Sequence, residues 1–178
     1  MYNNTTTKRI YAGNVAIGGG APISIQSMLC AHAHDVEGNV RQAIALQEAG
    51  CDIVRVSVPD KQTIKTVEAL KQNITIPLVA DIHFDWRLAI ESVAAGVDKV
   101  RINPGNIGDE TKVREVARVC REKNIPIRIG VNSGSLEKEI LANYGGVTPE
   151  AMCESAMYHV SLLEKNDFND IVIAIKSS

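Results

Sequence analysis

The sequence predicts an α/β fold and, within that class, a parallel (β/α) barrel of TIM type cut after about six strands. Three observations carry this. Short apolar runs alternate with longer amphipathic stretches along the whole chain. Strands this apolar have no face to spare for water, so the sheet is parallel and covered by helices. The chain also repeats itself: Ala49-Gly-Cys-Asp-Ile-Val-Arg55 matches Ala95-Gly-Val-Asp-Lys-Val-Arg101, and Ile76-Pro77 matches Ile125-Pro126. The period is two strand–helix units. A TIM barrel fills its interior in layers drawn from alternate strands, which that period satisfies. A doubly wound sheet makes no such demand.

Length and charge set the bounds. The 178 residues suffice for one domain with a real core. A net charge of −2 points to neither nucleic acid nor a membrane surface as partner. The longest apolar runs are strand-sized, too short to span a bilayer. Met1 to Arg9 has no apolar signal-peptide core. Cys30, Cys51, Cys120 and Cys153 are scattered without a Cys-x-x-Cys pair, so the chain shows no metal motif of its own. Reduced thiols and a cytoplasmic location are expected.

The elements follow in order. Residues 8–17 form two short apolar pieces around Gly13-Asn14, a hairpin, and Gly18-Gly19-Gly20 is a turn. This makes residues 1–20 an N-terminal extension and 21–178 the partial barrel. Strand one is Pro22 to Met28. Asp35 caps a helix to about Ala49, stopped by Gly50. Strand two is Asp52 to Val58, and Asp60 caps a helix to about Gln72. Strand three is Ile76 to Ile82, and Asp85 caps a helix to Ala95, stopped by Gly96. Strand four is Lys99 to Asn103, Pro104-Gly105-Asn106 is a turn, and Asp109 caps a helix to about Lys123. Strand five is 125–131. Ser135 can cap the short helix that follows from Leu136 to the Gly145-Gly146 stop. Thr148-Pro149 opens another helix, to about Lys165. Strand six is Ile171 to Lys176. Six strands fall short of the eight a barrel needs, so strands one and six are expected to be open edges that favour dimerisation.

Side chains alternate across a strand, which sorts the strand residues into two sets. The helix-facing set is Ile23, Ile25, Val54, Val56, Val58, Leu78, Ala80, Ile82, Val100, Ile102, Ile127, Ile129, Ile173 and Ile175, all apolar. The opposite set includes Ser24, Gln26, Arg55, Ser57, Asp81, His83, Arg101, Asn103, Arg128, Asn132 and Lys176. Arg55, Arg101, Arg128 and Lys176 are cations, and Asp81 is the one acid among them. Converging cations in a closed interior repel each other, and a buried unpaired charge costs several kcal/mol or more. The lining calls for an anion, and arginine forks match phosphate oxygens in pairs. A phosphate or diphosphate is the natural guest. Asp81-x-His83 reads as an acid–base pair, as metal ligands or as polar lining. Asn103-Pro-Gly-Asn106 reads as an anion-binding turn or a turn alone. His32 and His34 beside Cys30 sit in a polar loop, where a metal is the less favoured reading.

Several motifs carry a resemblance. Val54-Arg-Val-Ser-Val-Pro59, Ala80-Asp-Ile-His-Phe-Asp85, Val100-Arg-Ile-Asn-Pro-Gly-Asn-Ile-Gly108 and Ile125-Pro-Ile-Arg-Ile-Gly-Val-Asn-Ser-Gly-Ser-Leu-Glu-Lys138 occur in fixed order. With Tyr144-Gly and Thr148-Pro-Glu they resemble the 4-hydroxy-3-methylbut-2-en-1-yl diphosphate synthases of the non-mevalonate isoprenoid pathway, from about Arg9 to Ser178. Leu29-Cys-Ala-His-Ala-His34 departs from the family's Thr-rich loop, so no role is carried over to it.

The resemblance implies a TIM barrel followed by a smaller domain with a [4Fe–4S] cluster on three cysteines and a glutamate. It implies an oxidoreductase that opens 2-C-methyl-D-erythritol 2,4-cyclodiphosphate with electrons from ferredoxin or flavodoxin. By the motif match, Arg55, Arg101, Arg128, Asn132 and Lys176 hold the diphosphate, and Asp81, His83 and Asn103 line the pocket. None of the four cysteines lies where the family's cluster ligands lie. The chain is therefore expected to be the N-terminal barrel part, binding no cluster and inactive alone. The alternative is a dihydropteroate-synthase-like barrel that binds a pterin and a diphosphate without redox chemistry.

Overall fold

Helix starts follow the acids that the sequence places before each apolar stretch. The computed structural model describes residues 6–102, 107 and 110–177. Asp35 Oδ1 accepts from the Gly38 N–H at 2.9 Å and starts α1 (Val36–Glu48). Asp60 accepts from the Thr63 N–H and caps a 3₁₀ turn, Lys61–Thr63, that runs into α2 (Ile64–Asn73). Asp85 accepts from the Arg87 N–H ahead of α3 (Trp86–Ala94). Then come α4 (Glu110–Glu122), α5 (Lys138–Tyr144) and α6 (Pro149–Glu164). Thr148 caps α6, with Pro149 in its first turn. The expected Asp109 cap lies outside the described residues. The expectation that Ser135 caps α5 is corrected. Ser135 lies in a 3₁₀ turn, its hydroxyl donates back to the Asn132 carbonyl at 3.3 Å, and Glu137 occupies the cap position.

A hairpin of β1 (Ile10–Ala12) and β2 (Val15–Ile17) precedes the sheet. The sheet contains β3 (Gln26–Met28), β4 (Ile53–Ser57), β5 (Leu78–Ile82), β6 (Lys99–Ile102), β7 (Ile127–Asn132) and β8 (Ile171–Lys176). Every neighbouring pair is parallel, and the spatial order is the chain order. That order identifies a curled half-barrel, because a doubly wound sheet reverses direction at its switch point.

The repeat has a structural meaning. Gly50 and Gly96 stand at φ 88° and 93°, the left-handed conformation that stops a helix without a Cβ penalty. Two residues on, Asp52 Oδ2 accepts from the Ile25 N–H at 2.7 Å and Asp98 Oδ2 from the Leu78 N–H at 2.8 Å. Each acid thus ties the start of its strand to the strand before it. The Pro77 and Pro126 carbonyls likewise accept from Val54 and Val100.

The main core lies between the outer sheet face and the helices. It takes in the predicted Val54, Val56, Val58, Leu78, Ala80, Ile82, Val100, Ile102, Ile127 and Ile129. Ile23, Ile25, Ile173 and Ile175 of the helix-facing set are exposed, Ile23 by 92%. Ile173 and Ile175 lie on β8 at one end of the sheet, Ile23 and Ile25 precede β3, which starts at Gln26 and not at the expected Pro22, and among the described residues no further strand lies beyond β3 or β8. A second, small cluster closes the bottom of the inner face, where Ala12, Val15 and Ile17 of the hairpin pack on Ile53 and Val79.

Candidate functional site

Above that apolar floor the inner face changes character. The register brings Arg101 level with Asp81 on one side and Arg128 on the other, while Arg55 pairs with Val79 one layer lower. Asp81 is 2% exposed, and its carboxylate is shared. Arg101 Nη1 donates to Oδ1 at 2.9 Å, Arg55 Nε lies 3.4 Å from Oδ2, and His83 Nε2 lies 3.6 Å from Oδ2. The two repeat arginines therefore meet on the acid of the strand between them. Arg55 also donates to the Met28 thioether, with Nη2 at 2.9 Å.

The close packing depends on Gly130. A Cβ built there would stand 2.4 Å from Arg101 Nε, so only glycine leaves the guanidinium its place. Arg101 Nη2 reaches the Gly130 carbonyl at 3.5 Å.

Arg128 is in a different position. Its Nε is buried without a hydrogen-bond partner among the described residues. Burial lowers the pKa of its guanidinium below the ordinary arginine value, and the charges of Arg55 and Arg101 add to this, partly offset by Asp81.

Arg55, Asp81, His83, Arg101, Arg128, Asn132 and Lys176 line one cavity of about 260 Å³ at the C-terminal end of the strands, together with Met28 and Gly130. These are the sequence-predicted residues with one exception: Asn103 lies outside the described residues. A second cavity of about 480 Å³ extends below, sharing Met28, Arg55 and Arg128 and adding Ser24, Gln26 and Lys99. Lys99, Met28 and Gly130 were not among the predicted site residues. Counting back two from Arg101 along β6 would have found Lys99, since the side-chain period of a strand is two.

Lys99 is 3% exposed, and its Nζ lies 3.4 Å from Gln26 Oε1. Burial, then the charges of Arg128 and Arg55, push its pKa down to about 8. The inner face thus holds the cations Arg55, Lys99, Arg101, Arg128 and Lys176 and, among the described lining residues, the single carboxylate of Asp81. Elsewhere, Glu137 at the start of α5 hydrogen-bonds His159 Nε2 of α6.

Metal chemistry finds no donor set in these residues. His34 Nε2 is engaged by Asp60 Oδ2 at 2.7 Å, next to the helix cap. Cys51 and Cys120 are buried, Cys30 and Cys153 exposed, and burial pushes the Cys120 thiol up to about 12. No three His, Cys, Asp or Glu among the described residues gather into a group that could hold a metal ion. Nor is any helix among them long and apolar enough to cross a membrane.

Comparison with known proteins agrees with this geometry. A protein of Caldanaerobacter subterraneus subsp. tengcongensis named 4-hydroxy-3-methylbut-2-en-1-yl diphosphate synthase (flavodoxin) is 57% identical over 172 residues, covering 97% of this chain and 48% of the relative. A Clostridium perfringens protein of the same name is 54% identical over 176 residues, 99% of this chain and 50% of the relative. The chain spans about half the length of the relatives it matches. Among solved structures, the Yersinia pestis dihydropteroate synthase superposes with a TM-score of 0.67 at 12% identity, over 93% of this chain and 61% of that one. That likeness shows the barrel architecture alone, and the dihydropteroate-synthase alternative is not favoured. A family model described as the GcpE TIM-barrel domain matches residues 7–178, and the chain belongs to that family.

Proposed function

We propose that this chain is the N-terminal, substrate-binding part of a 4-hydroxy-3-methylbut-2-en-1-yl diphosphate synthase, which reductively opens 2-C-methyl-D-erythritol 2,4-cyclodiphosphate in isoprenoid biosynthesis. The observation that carries this reading is the half-buried Arg128, whose buried Nε has no hydrogen-bond partner among the described residues, in a cavity whose cations outnumber its one acid. A diphosphate supplies the missing charge and enough oxygens for several forks. In this reading Arg55, Arg101, Arg128 and Lys176 hold the phosphoryl oxygens. Asp81 acts as a positioning residue, fixing Arg55 and Arg101 before the ligand arrives. Asn132, His83 and Asn103 complete the polar lining toward the ring of the substrate.

When bound in the parent enzyme, a [4Fe–4S] cluster would supply electrons. The described residues do not compose its donor set, so its ligands would come from the rest of the parent. Flavodoxin, named for the relatives, is the proposed electron donor in place of ferredoxin. A homodimer belongs to the same proposal. The division into an N-terminal extension, 1–20, and a barrel part, 21–178, belongs to the same proposal, as does a cytoplasmic site of action.

Calorimetric titration with the cyclodiphosphate tests the reading. Arg128→Ala is expected to weaken binding about tenfold to a hundredfold, the loss of a charge-assisted hydrogen-bonded contact worth about 1.5–3 kcal/mol. Unchanged affinity would refute it. A chain that bound a pterin and ignored the cyclodiphosphate would move the assignment to the dihydropteroate-synthase class.

A further inference from the structure

We infer that Lys99 is the floor of a second anion subsite, in which its ammonium holds one phosphoryl oxyanion of the bound ligand jointly with Arg55 and Arg128. The inference deepens the diphosphate reading and rests on it for the identity of the anion. Its geometry stands apart. The lower cavity is the larger of the two, and Arg55 and Arg128 border both, so one guest can engage the two arginines from above and below.

The repeat sharpens the point. Lys99 occupies the place that Ile53 holds in the first copy, Asp-Ile-Val-Arg against Asp-Lys-Val-Arg. Ile53 is sealed beneath Ala12 of the hairpin, whereas Lys99 faces the open cavity. Among the described residues, the hydrogen bond that the Lys99 ammonium makes is to the neutral Gln26 Oε1, at the long distance of 3.4 Å. The charged and titratable groups facing this interior are Arg101 on the same strand, β6, and, from the other strands, Arg55 on β4, Asp81 on β5 with His83 just past its end, Arg128 on β7 and Lys176 on β8. The one carboxylate is already engaged by Arg101 and Arg55. An ammonium among arginines gains from an oxyanion more than from any neighbour it has.

Burial and the neighbouring arginines hold the Lys99 pKa at about 8, so an anion that fixes the charge also draws a proton. Sulfate is the probe, because it imitates a phosphoryl group and does not titrate near neutrality. Sulfate binding to the 178-residue chain is expected to weaken about tenfold from pH 7 to pH 9. At pH 8, calorimetry in buffers of different ionisation heat should show uptake of about half a proton per sulfate bound. Lys99→Met is expected to lose at least about tenfold in sulfate affinity at pH 7 and to abolish the pH dependence. Lys99→Arg keeps a charge that does not titrate in this range, so it should bind sulfate with no slope between pH 7 and pH 9. The cyclodiphosphate should displace sulfate from the wild-type chain. Wild-type affinity in Lys99→Met, a flat wild-type profile, or sulfate and cyclodiphosphate bound together would each overturn the subsite and leave the diphosphate reading standing. A wild-type chain that binds neither ligand at pH 7 would remove the diphosphate reading itself.

Discussion

The two copies of the repeat make a controlled comparison inside one molecule. In each, a left-handed glycine ends a helix, an aspartate ties down the preceding strand, and an arginine points inward two residues after an inner position. Both arginines reach the same acid, Asp81, on the strand between them. The copies differ at the inner position, Ile53 against Lys99. They differ too in what surrounds each arginine. Arg101 is buried against the Gly130 carbonyl, while Arg55 leans on a thioether and keeps more contact with water. Residues that serve the backbone are thus shared. The residues that differ decide which part of the interior is sealed hydrocarbon and which is open, charged cavity.

The largest expected effect breaks what the copies have in common. Asp81→Ala leaves two inward arginines without their carboxylate. Removing one partner from a buried ion pair costs about 3–5 kcal/mol. Denaturant unfolding should show this loss, and added cyclodiphosphate or sulfate should restore part of it. An unfolding midpoint equal to that of the wild type would mean the arginines are satisfied elsewhere.

The next effect has the opposite sign and turns the second copy into the first. Lys99 is held down from the ordinary lysine value to about 8. That drop corresponds to about 3 kcal/mol of opposition to the charged form. Lys99→Ile should therefore stabilise the empty chain by up to about 3 kcal/mol at neutral pH. Between pH 8 and 10.5 the unfolded chain carries more of this proton than the folded one, so wild-type stability should rise through that window. The variant should lack this contribution, and its advantage over the wild type should shrink toward the upper end. A variant that is less stable than the wild type at pH 7 would show that the ammonium has a partner after all.

The smallest effect separates the two strand-tying aspartates. Asp98 accepts from the Leu78 N–H and pairs with Lys71 Nζ at 2.6 Å, whereas Asp52 accepts from the Ile25 N–H at the edge of the sheet. Asp98→Ala should cost about 1–3 kcal/mol and Asp52→Ala about 1 kcal/mol. Hydrogen exchange at Leu78 and at Ile25 reports each loss locally. Equal costs would show that position in the sheet does not matter to this bond.

Much of this was legible before any coordinates. Asp35, Asp60, Asp85 and Thr148 announced their helices, because an N-cap is a local interaction between a side chain and a backbone N–H two or three residues away. The inward set from Arg55 to Lys176 was legible because a strand has a period of two, so one charged residue indexes its whole face. Ser135 was misread because the loop after β7 closes on itself first, through the Asn132 carbonyl. How far the edge isoleucines are exposed is beyond alternation, which tells which face a residue points to and not whether a neighbour covers that face.

The sequence by itself determined the strand–helix alternation, the two-unit period and the sign of the charge that meets inside. These follow from the spacing of residue types along one chain. Only the tertiary structure decided that Arg55 and Arg101 share one carboxylate, that Gly130 vacates the space for a guanidinium, that Arg128 Nε is buried without a partner among the described residues and that Lys99, itself buried, lines the cavity below them. Those facts depend on register between strands far apart in sequence and on how tightly the sheet curls. No local pattern encodes either.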